Sequence, residues 1–197
     1  LIDHALSNGS DDNLSCQILR VDKLPDQQVD DVVSKLTALP FPPFLNAGMV
    51  LDDFEVVREI YASNRSQLYL VKDKESGLLY CMKTPSVNFS DDPAYIERFV
   101  MESWIGSRIN NSHVVKVVEH NRSKSCLYYL TEYIDGLTLT QWIKENPKPA
   151  VQEMVYLVDQ ISKGIRAFHR RETLHQDIKP DNIIIDKDGV VKIIDFG

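Results

Sequence analysis

The chain has 197 residues, of which 43% are hydrophobic and 26% charged, enough for one or two globular domains with a sizeable core. Its formal net charge of -7 argues against non-specific binding to nucleic acids or anionic membranes. No apolar run approaches the ~20 residues of a membrane-spanning helix. The three scattered cysteines favour neither a zinc site nor a disulfide framework. We therefore expect a cytoplasmic protein, with no nucleic-acid partner and no membrane segment in this chain.

The two ends of the chain predict a fragment. The first residue is Leu1 and not Met, no signal peptide is visible, and the last residue is Gly197. We expect truncation at both ends.

A proline-containing segment at residues 25–48 separates two regions of different composition. Its run Pro40-Phe41-Pro42-Pro43 must end any preceding helix, because proline lacks the amide donor. We interpret 25–48 as a linker, and its apolar Phe41, Phe44 and Leu45 predict that it packs on a neighbour.

The next region has strand character interrupted by one helix. Runs rich in β-branched and aromatic residues, separated by turn residues, cover 54–60, 67–72, 78–83, 114–119 and 127–133. Asp92 can cap a helix with Pro93 at its first position, and Ile96, Val100 and Trp104 follow at helical spacing. The order predicts a small antiparallel sheet with one inserted helix.

Helices come first in the last third of the chain. A short helix at 139–144 is stopped by Asn146-Pro147, and a longer one at 151–169 carries an apolar stripe. The stripe consists of Met154, Leu157, Val158, Ile161, Ile165 and Phe168. Strands at 183–185 and 190–194 flank Asp186-Lys187-Asp188-Gly189, whose residues tolerate positive φ, so a β-hairpin is predicted.

The run from His175 to Asn182, followed after the hairpin by Asp195-Phe196-Gly197, carries the strongest chemical signal. Phosphoryl transfer from ATP needs a carboxylate that orients the attacking hydroxyl, oxygen ligands for a metal and a cation on the phosphate. Asp177, Asn182, Asp195 and Lys179 supply these groups at the spacing of a protein kinase.

Residues 49–197 therefore resemble the eukaryotic-type protein kinase domain. The resemblance implies an α+β, protein-kinase-like two-lobe fold. Its N-lobe, an antiparallel sheet plus one helix, would cover 49–134, and an incomplete helical C-lobe would cover 135–197.

The resemblance also implies individual roles. Asp177 would be the catalytic base, and Lys179 would contact the transferring γ-phosphate. Asn182 and Asp195 would bind magnesium. Lys83, at the end of a strand, would contact the α- and β-phosphates of ATP.

Lys83 needs a partner carboxylate on the inserted helix. Glu97 and Glu102 both lie near apolar neighbours, so helical periodicity separates them poorly. The resemblance favours Glu102, because Val114-Val115 falls where the family's Ile-Val follows that glutamate.

Further ATP-binding residues follow from the family's order. Thr131 would be the gatekeeper, and the backbone of Glu132 and Ile134 would hydrogen-bond adenine. Cys81 would line the adenine pocket, although it could equally be a plain core residue. The further ATP-binding residues that the resemblance implies are Ile60, Leu68, Cys81, Thr131, Glu132 and Ile134.

Two features depart from the family's pattern. The phosphate-covering loop should read G-x-G-x-x-G, but residues 61–66 contain no glycine, although glycine lets the backbone approach phosphate closely. Ser63 and Ser66 could partly substitute as hydroxyl donors. Gln176 replaces an arginine that usually pairs with an activation-loop phosphate, so we predict that activation-loop phosphorylation is not the on-switch.

The N-terminal residues carry a second, shorter motif. Residues 9–15 include Asp12-Asn13 and lie between a predicted helix and a predicted strand. They resemble the last metal motif of PPM-type protein phosphatases, in which Asp12 would ligate magnesium or manganese in a two-metal centre. An Asx-rich turn is the alternative for such a composition. With the linker and the kinase region, the chain resembles a bacterial bifunctional PPM phosphatase–serine/threonine kinase, and 1–24 would be the end of a phosphatase α/β sandwich.

The expected function is ATP-dependent phosphorylation of protein serine or threonine hydroxyls, with ATP and magnesium required. The alternative is a pseudokinase that binds nucleotide or a partner without phosphoryl transfer, as the glycine-free loop could indicate. Because no activation segment follows Gly197 in this chain, we expect the isolated chain to be inactive. A full-length parent could carry a membrane tether, as complete family members can.

Overall fold

The computed structural model describes residues 7–8 and 36–196. The chain divides into two compact units, Leu1–Val32 and Val33–Gly197. Every element named below belongs to the second unit. Apart from residues 7–8, the predicted phosphatase remnant at 1–24, including Asp12, lies outside the described residues.

A six-stranded antiparallel sheet forms the first half of this unit, in the order β1-β2-β3-β4-β6-β5. The strands are β1 Val50–Leu51, β2 Phe54–Ala62, β3 Ser66–Asp73, β4 Leu79–Pro85, β5 Val117–Val118 and β6 Tyr129–Glu132. The sequence predicted this sheet and its one inserted helix, although β1 was missed and β5 and β6 are shorter than expected.

The two faces of the sheet have different partners, because successive side chains of a strand point to opposite faces. On one face Tyr69, Val71, Met82 and Leu130 join a core cluster with Phe54 and Val56, all at most 2% exposed. The other face carries Lys83 and its cross-strand neighbour Tyr129. This second face is the one that α1 covers.

The inserted helix α1, Pro93–Arg108, begins as the sequence predicts. The Asp92 carboxylate accepts a hydrogen bond from the Tyr95 amide at 3.0 Å, and Pro93 occupies the first turn, where its missing amide hydrogen is not needed. Phe99 and Val100 pack against Leu127, which precedes β6, and against Tyr129 of β6. This packing fixes the height of the helix above Lys83.

The segment before β1 packs on the sheet rather than extending away from it. Leu39 and Phe41 contact the cluster under α1, and the Leu127 amide donates to the Pro40 carbonyl at 2.8 Å. Leu45 is buried in the core on the other face, whereas Phe44 is 62% exposed. The expected packing therefore holds for Phe41 and Leu45 and is wrong for Phe44.

The second half contains α2 Leu139–Glu145, α3 Val151–His169 and a three-stranded antiparallel sheet in the order β7-β8-β9. Its strands are β7 Gly136–Thr138, β8 Ile183–Asp186 and β9 Val191–Ile193. The predicted hairpin is β8–β9, where Gly189 has φ +77° and Asp186 Oδ1 accepts the amides of Asp188 and Val190.

Strand β7 was not anticipated, because it has only three residues and begins with glycine. A Cβ at Gly136 would lie 2.2 Å from the Ile185 carbonyl oxygen. Only glycine permits this close approach of the two backbones.

The apolar stripe of α3 is only partly buried. Leu157 and Phe168 are buried and Ile161 and Ile165 pack beside the core, whereas Met154 and Val158 are exposed. No helix among residues 36–196 is long and apolar enough to span a bilayer.

Candidate active site

Lys83 connects three elements of the fold. It projects from β4, and its ammonium lies 2.5 Å from Glu102 Oε1 of α1 and 2.8 Å from Asp195 Oδ1 beyond β9. Burial alone would lower the pKa of Lys83, but the two carboxylates outweigh burial and raise it. The lysine is therefore held charged where α1, the sheet and the Asp195 segment meet.

The structure selects between the two candidate carboxylates on α1. Glu102 faces Lys83 and has a side chain only 10% exposed, whereas Glu97 is exposed. Burial raises the pKa of Glu102 against the opposing effect of the Lys83 ammonium. The pKa of Asp195 is lowered: burial would raise it, but hydrogen bonding with Glu102 and the charge of Lys83 prevail.

Tyr129 is a member of this cluster that the sequence did not reveal. Its hydroxyl donates to Glu102 Oε1 at 2.7 Å, and its ring centroid lies 5.9 Å from Lys83 Nζ. The side chain is 3% exposed, and burial raises the pKa of its hydroxyl well above the ordinary value. A protonated Tyr129 is thus a fixed donor to Glu102. The signal available in the sequence was its register opposite Lys83 on the neighbouring strand.

Phe196 fixes the segment that carries Asp195. It is 3% exposed and lies 6.2 Å from the Phe168 ring of α3. A Cβ at Gly106 would lie 2.5 Å from the Phe196 ring, so α1 can approach Phe196 only with glycine there. Asp195 itself has φ +70°, a backbone conformation that is uncommon for a non-glycine residue and is often found at functional sites.

A second polar cluster surrounds Asp177. Its Oδ2 accepts from Lys179 Nζ at 2.6 Å and from Asn182 Nδ2 at 2.9 Å, and Asn182 Nδ2 also donates to the Asp177 carbonyl at 3.0 Å. Asp177 Oδ1 accepts no hydrogen bond from any described residue. The side chain is 43% exposed. Two donors thus hold one carboxylate oxygen of a half-exposed side chain, and the other oxygen has no donor among the described residues.

The two clusters are connected through the backbone. The Ile194 amide donates to the Asn182 carbonyl at 2.9 Å, which places the residue before Asp195 against the residue that orients Asp177. Gln176, next to Asp177, has φ +56°. The uncommon backbone conformations of Gln176 and Asp195 therefore each lie next to one of the two polar clusters.

His175, two residues before Asp177, is buried against α3. It is 4% exposed and lies edge-on to Phe168 at 5.0 Å. Neither of its ring nitrogens has a hydrogen-bond partner among the described residues. Its carbonyl accepts the Asp177 amide at 2.6 Å.

The predicted adenine-pocket residues share the sheet face of Lys83. Cys81 precedes Lys83 by two residues and is the cross-strand partner of Thr131, and Leu68 is the partner of Lys83. Burial raises the pKa of the Cys81 thiol to about 11, so it is a neutral wall residue at physiological pH. Ile60 lies in β2 where the register shifts between Glu59 and Tyr61.

The segment after β6 joins the two halves. The Glu132 carboxylate accepts from Lys192 Nζ at 2.6 Å and from the Lys116 amide at 2.9 Å. Ile134 packs against the cluster that contains Phe196. The structure places Lys83, Glu102 and Asp195 in one cluster and Asp177, Lys179 and Asn182 in a second. Leu68, Cys81 and Thr131 share the sheet face of Lys83, whereas the strand register does not define the side-chain direction of Ile60.

Comparisons with known proteins show which family this chain resembles in sequence. The protein kinase domain family matches residues 54–197. The chain is 28% identical over 147 residues to the probable serine/threonine-protein kinase PknB of Lactococcus lactis, covering 74% of this chain and 23% of that protein. It is 28% identical over 144 residues to the serine/threonine-protein kinase PrkC of Bacillus subtilis, covering 73% of this chain and 22% of that one. The chain thus spans less than a quarter of the length of these relatives.

The fold has a counterpart among solved structures. The kinase domain of Mycobacterium tuberculosis PknI superposes with a TM-score of 0.62 at 22% identity, covering 78% of this chain and 63% of that one. With the antiparallel sheet, the Lys83–Glu102 pair and the Asp177 loop in this arrangement, the chain belongs to the protein kinase domain family.

Proposed function

We propose that the chain is the nucleotide-binding and catalytic part of a protein kinase that transfers the γ-phosphoryl group of ATP to serine or threonine hydroxyls of proteins. The observation that carries the proposal is Lys83, which contacts both Glu102 and Asp195. The two carboxylates hold the ammonium in one position, from which it could contact the phosphates of a nucleotide, and magnesium held at Asp195 would offset the negative charge of the carboxylates. Phosphoryl transfer depends mainly on such positioning and charge stabilisation.

Asp177 is proposed to orient the attacking hydroxyl. Its Oδ2 is held by Asn182 and Lys179, so the free Oδ1 has a defined direction in which to accept the proton of a substrate hydroxyl. Lys179 lies beside it with a side chain 49% exposed. It can therefore reach the transferring phosphate while staying near Asp177.

Asn182 and Asp195 fit a magnesium ion. The Nδ2 group of Asn182 is used on Asp177, which leaves its amide oxygen as a ligand, and the Asp195 carboxylate beside Lys83 would supply the second oxygen ligand. Hard oxygen donors of this kind are what magnesium prefers. Bound there, magnesium would neutralise charge on the phosphates.

The adenine ring is proposed to lie against Cys81, Thr131 and Leu68, with Ile60 on the same side. The backbone of Glu132 and Ile134 supplies the polar contacts. The neutral Cys81 thiol adds volume to this wall without adding charge.

A phosphotransfer assay with radiolabelled ATP on the complete protein that contains this chain tests the proposal. Asp177→Asn should reduce label transfer by at least ~100-fold, since it removes the base. Asp181→Asn, an exposed carboxylate four residues on, is the matched control and should keep wild-type activity. Equal label from wild type and Asp177→Asn would overturn the assignment and favour a nucleotide-binding pseudokinase.

We also propose the kinase lobes at 49–134 and 135–197, the linker at 25–48 and a phosphatase remnant at 1–24. Support for the remnant is the Asp12-Asn13 motif alone, and the bifunctional parent depends on it. Loss of manganese-dependent phosphatase activity in Asp12→Asn, with kinase activity intact, would support this part. The proposed location is the cytoplasm, consistent with Cys81 and Cys126 being free thiols.

Gln176 leads to a proposal about regulation. An amide at this position cannot form an ion pair with a phosphate. Activation should therefore not depend on a phosphorylated activation loop, and phosphatase treatment should leave turnover unchanged.

A further inference from the structure

The Ser63 side chain closes the glycine-free turn at residues 61–66. Ser63 Oγ accepts the Arg65 amide at 3.2 Å and the Ser66 amide at 3.1 Å, and donates to the Ser66 carbonyl at 3.1 Å. The Ser63 amide also donates to the Ser66 carbonyl at 2.9 Å. None of these six described residues has a positive φ, so the turn does not require glycine.

This arrangement changes the role first expected for Ser63. In this conformation its hydroxyl is used inside the turn and is not directed outward as a donor to phosphate. The serine instead stabilises the shape of the turn, as serine hydroxyls do in hydrogen-bonded turns.

The tip of the turn is attached to α1. The Arg65 carbonyl accepts from the Tyr95 hydroxyl and from the Ser86 amide, the latter at 2.9 Å. The Ser86 amide also lies 3.2 Å from the Tyr95 hydroxyl oxygen. Three segments, namely the turn, the end of β4 and the start of α1, thus meet at one hydroxyl.

The Tyr95 side chain is well fixed. It is 7% exposed, and its ring stacks on Phe89 with centroids 4.8 Å apart. A buried hydroxyl that donates once and accepts once uses its hydrogen-bonding capacity fully. Its position is therefore defined by packing as well as by polar contacts.

Tyr95 and Glu102 lie seven residues apart on α1, which places them on the same helical face two turns from each other. Glu102 contacts Lys83, and Tyr95 contacts the turn. Helix α1 therefore contacts both Lys83 and the 61–66 turn, the two groups that would face the phosphates of a nucleotide.

We propose that Tyr95 is a positioning residue that holds the 61–66 turn against α1 and so presets it over the nucleotide phosphates. This inference rests on the proposed function. The turn is docked before ATP arrives, in place of a flexible glycine loop that closes afterwards. Because a preset turn contributes equally to binding substrate and transition state, its effect falls on KM and not on kcat.

The test uses Tyr95→Phe, which keeps the ring on Phe89 and removes only the hydroxyl. Tyr156→Phe, at a side chain 58% exposed on α3, is the control for loss of a tyrosine hydroxyl. In Tyr95→Phe, amide exchange at Ser66 and Ser86 should be about tenfold faster, the effect of losing one buried hydrogen bond. KM for ATP should rise by about the same factor with kcat within about twofold. The control should match wild type in every measurement.

Unchanged exchange at Ser66 and Ser86 in folded Tyr95→Phe would overturn the inference. A fall in kcat at constant KM would overturn it also. Amide exchange does not require catalysis, so it tests Tyr95 even if the protein transfers no phosphate. In the wild-type protein, a slowly exchanging Tyr95 hydroxyl proton is expected by NMR, and rapid exchange of that proton would contradict the inference independently of any variant.

Discussion

The hydroxyl of Tyr129 provides the sharpest test of how the Lys83 cluster works. Tyr129→Phe keeps the buried ring and its packing with Phe99, but removes the 2.7 Å hydrogen bond to Glu102. Glu102 then keeps Lys83 as a partner and loses its neutral donor. We expect the pairing of Glu102 with Lys83 to weaken and phosphoryl transfer to slow.

The magnitude follows from the charge of the acceptor. A hydrogen bond to a charged group contributes about 1.5–3 kcal/mol, and 1.4 kcal/mol corresponds to about a factor of ten. Glu102 still accepts a hydrogen bond from Lys83, which offsets part of the lost free energy. We therefore expect kcat/KM to fall by about tenfold and the free energy of unfolding to fall by about 1.5 kcal/mol, the lower end of this range.

Tyr128→Phe is a matched control from the adjacent position. The Tyr128 hydroxyl also donates to a carboxylate, Asp52 Oδ2 at 2.9 Å, and Tyr128 is 1% exposed. Its ring, however, points to the opposite face of the sheet, into the core cluster with Phe54. Both variants should lose comparable stability in urea unfolding, and only Tyr129→Phe should lose activity. Equal activity in the two variants would refute the reasoning.

Three further changes probe the same architecture. Glu102→Gln should lower phosphotransfer about 100-fold, since breaking a buried ion pair costs about 3 kcal/mol or more, whereas the exposed Glu97→Gln should stay within about twofold; comparable losses would contradict the pairing. Gly106→Ala should lower the thermal midpoint, because its Cβ would meet Phe196 at 2.5 Å and overpacking costs about 1–3 kcal/mol; an increase, as in an unobstructed helix, would count against the contact. Burial would raise the pKa of Asp73, but hydrogen bonds lower it from 3.8 to about 2, so its contribution is present above pH 3.8 and is lost as pH falls towards 2. Urea midpoints of wild type should therefore approach those of Asp73→Asn over that window, and a constant difference would disprove the linkage.

Local signals predicted most of the elements because each was specified by neighbouring residues. Asp92 and Pro93 marked the start of α1, and Asp186 to Gly189 marked the β8–β9 turn. The helix at 139–144 and the helix at 151–169 were placed to within one residue. Caps and turns act over three or four residues, so one sequence is enough to read them.

Features that depend on distant contacts could not be predicted in the same way. Strand β7 exists because Gly136 approaches the Ile185 backbone, nearly fifty residues away in sequence. Helical periodicity did not separate Glu97 from Glu102, and only the position of Val114-Val115 expected from the family resemblance favoured Glu102. The structure shows the physical reason, because Phe99 and Val100 pack against the sheet side of α1 and Glu102 faces Lys83.

The candidate site was predictable where a motif names the residues, and not where packing recruits others. Asp177, Asn182 and Asp195 were apparent from spacing. Tyr129 and Tyr95 were missed because a buried tyrosine in a strand or helix is ordinary core composition. Their hydroxyl partners are known only once the fold brings Glu102 and Arg65 to them.

The contacts of Glu132 hold the end of β6 in place. Its carboxylate joins Lys192 of β9 to the Lys116 amide beside β5, so the end of β6 is braced from both sides. Gly136 is fixed again by its pairing with Asp186. Residues 133–135 lie between these two fixed points and belong to neither strand, so any change in the angle between the two sheets would have to be accommodated in part by their backbone torsions.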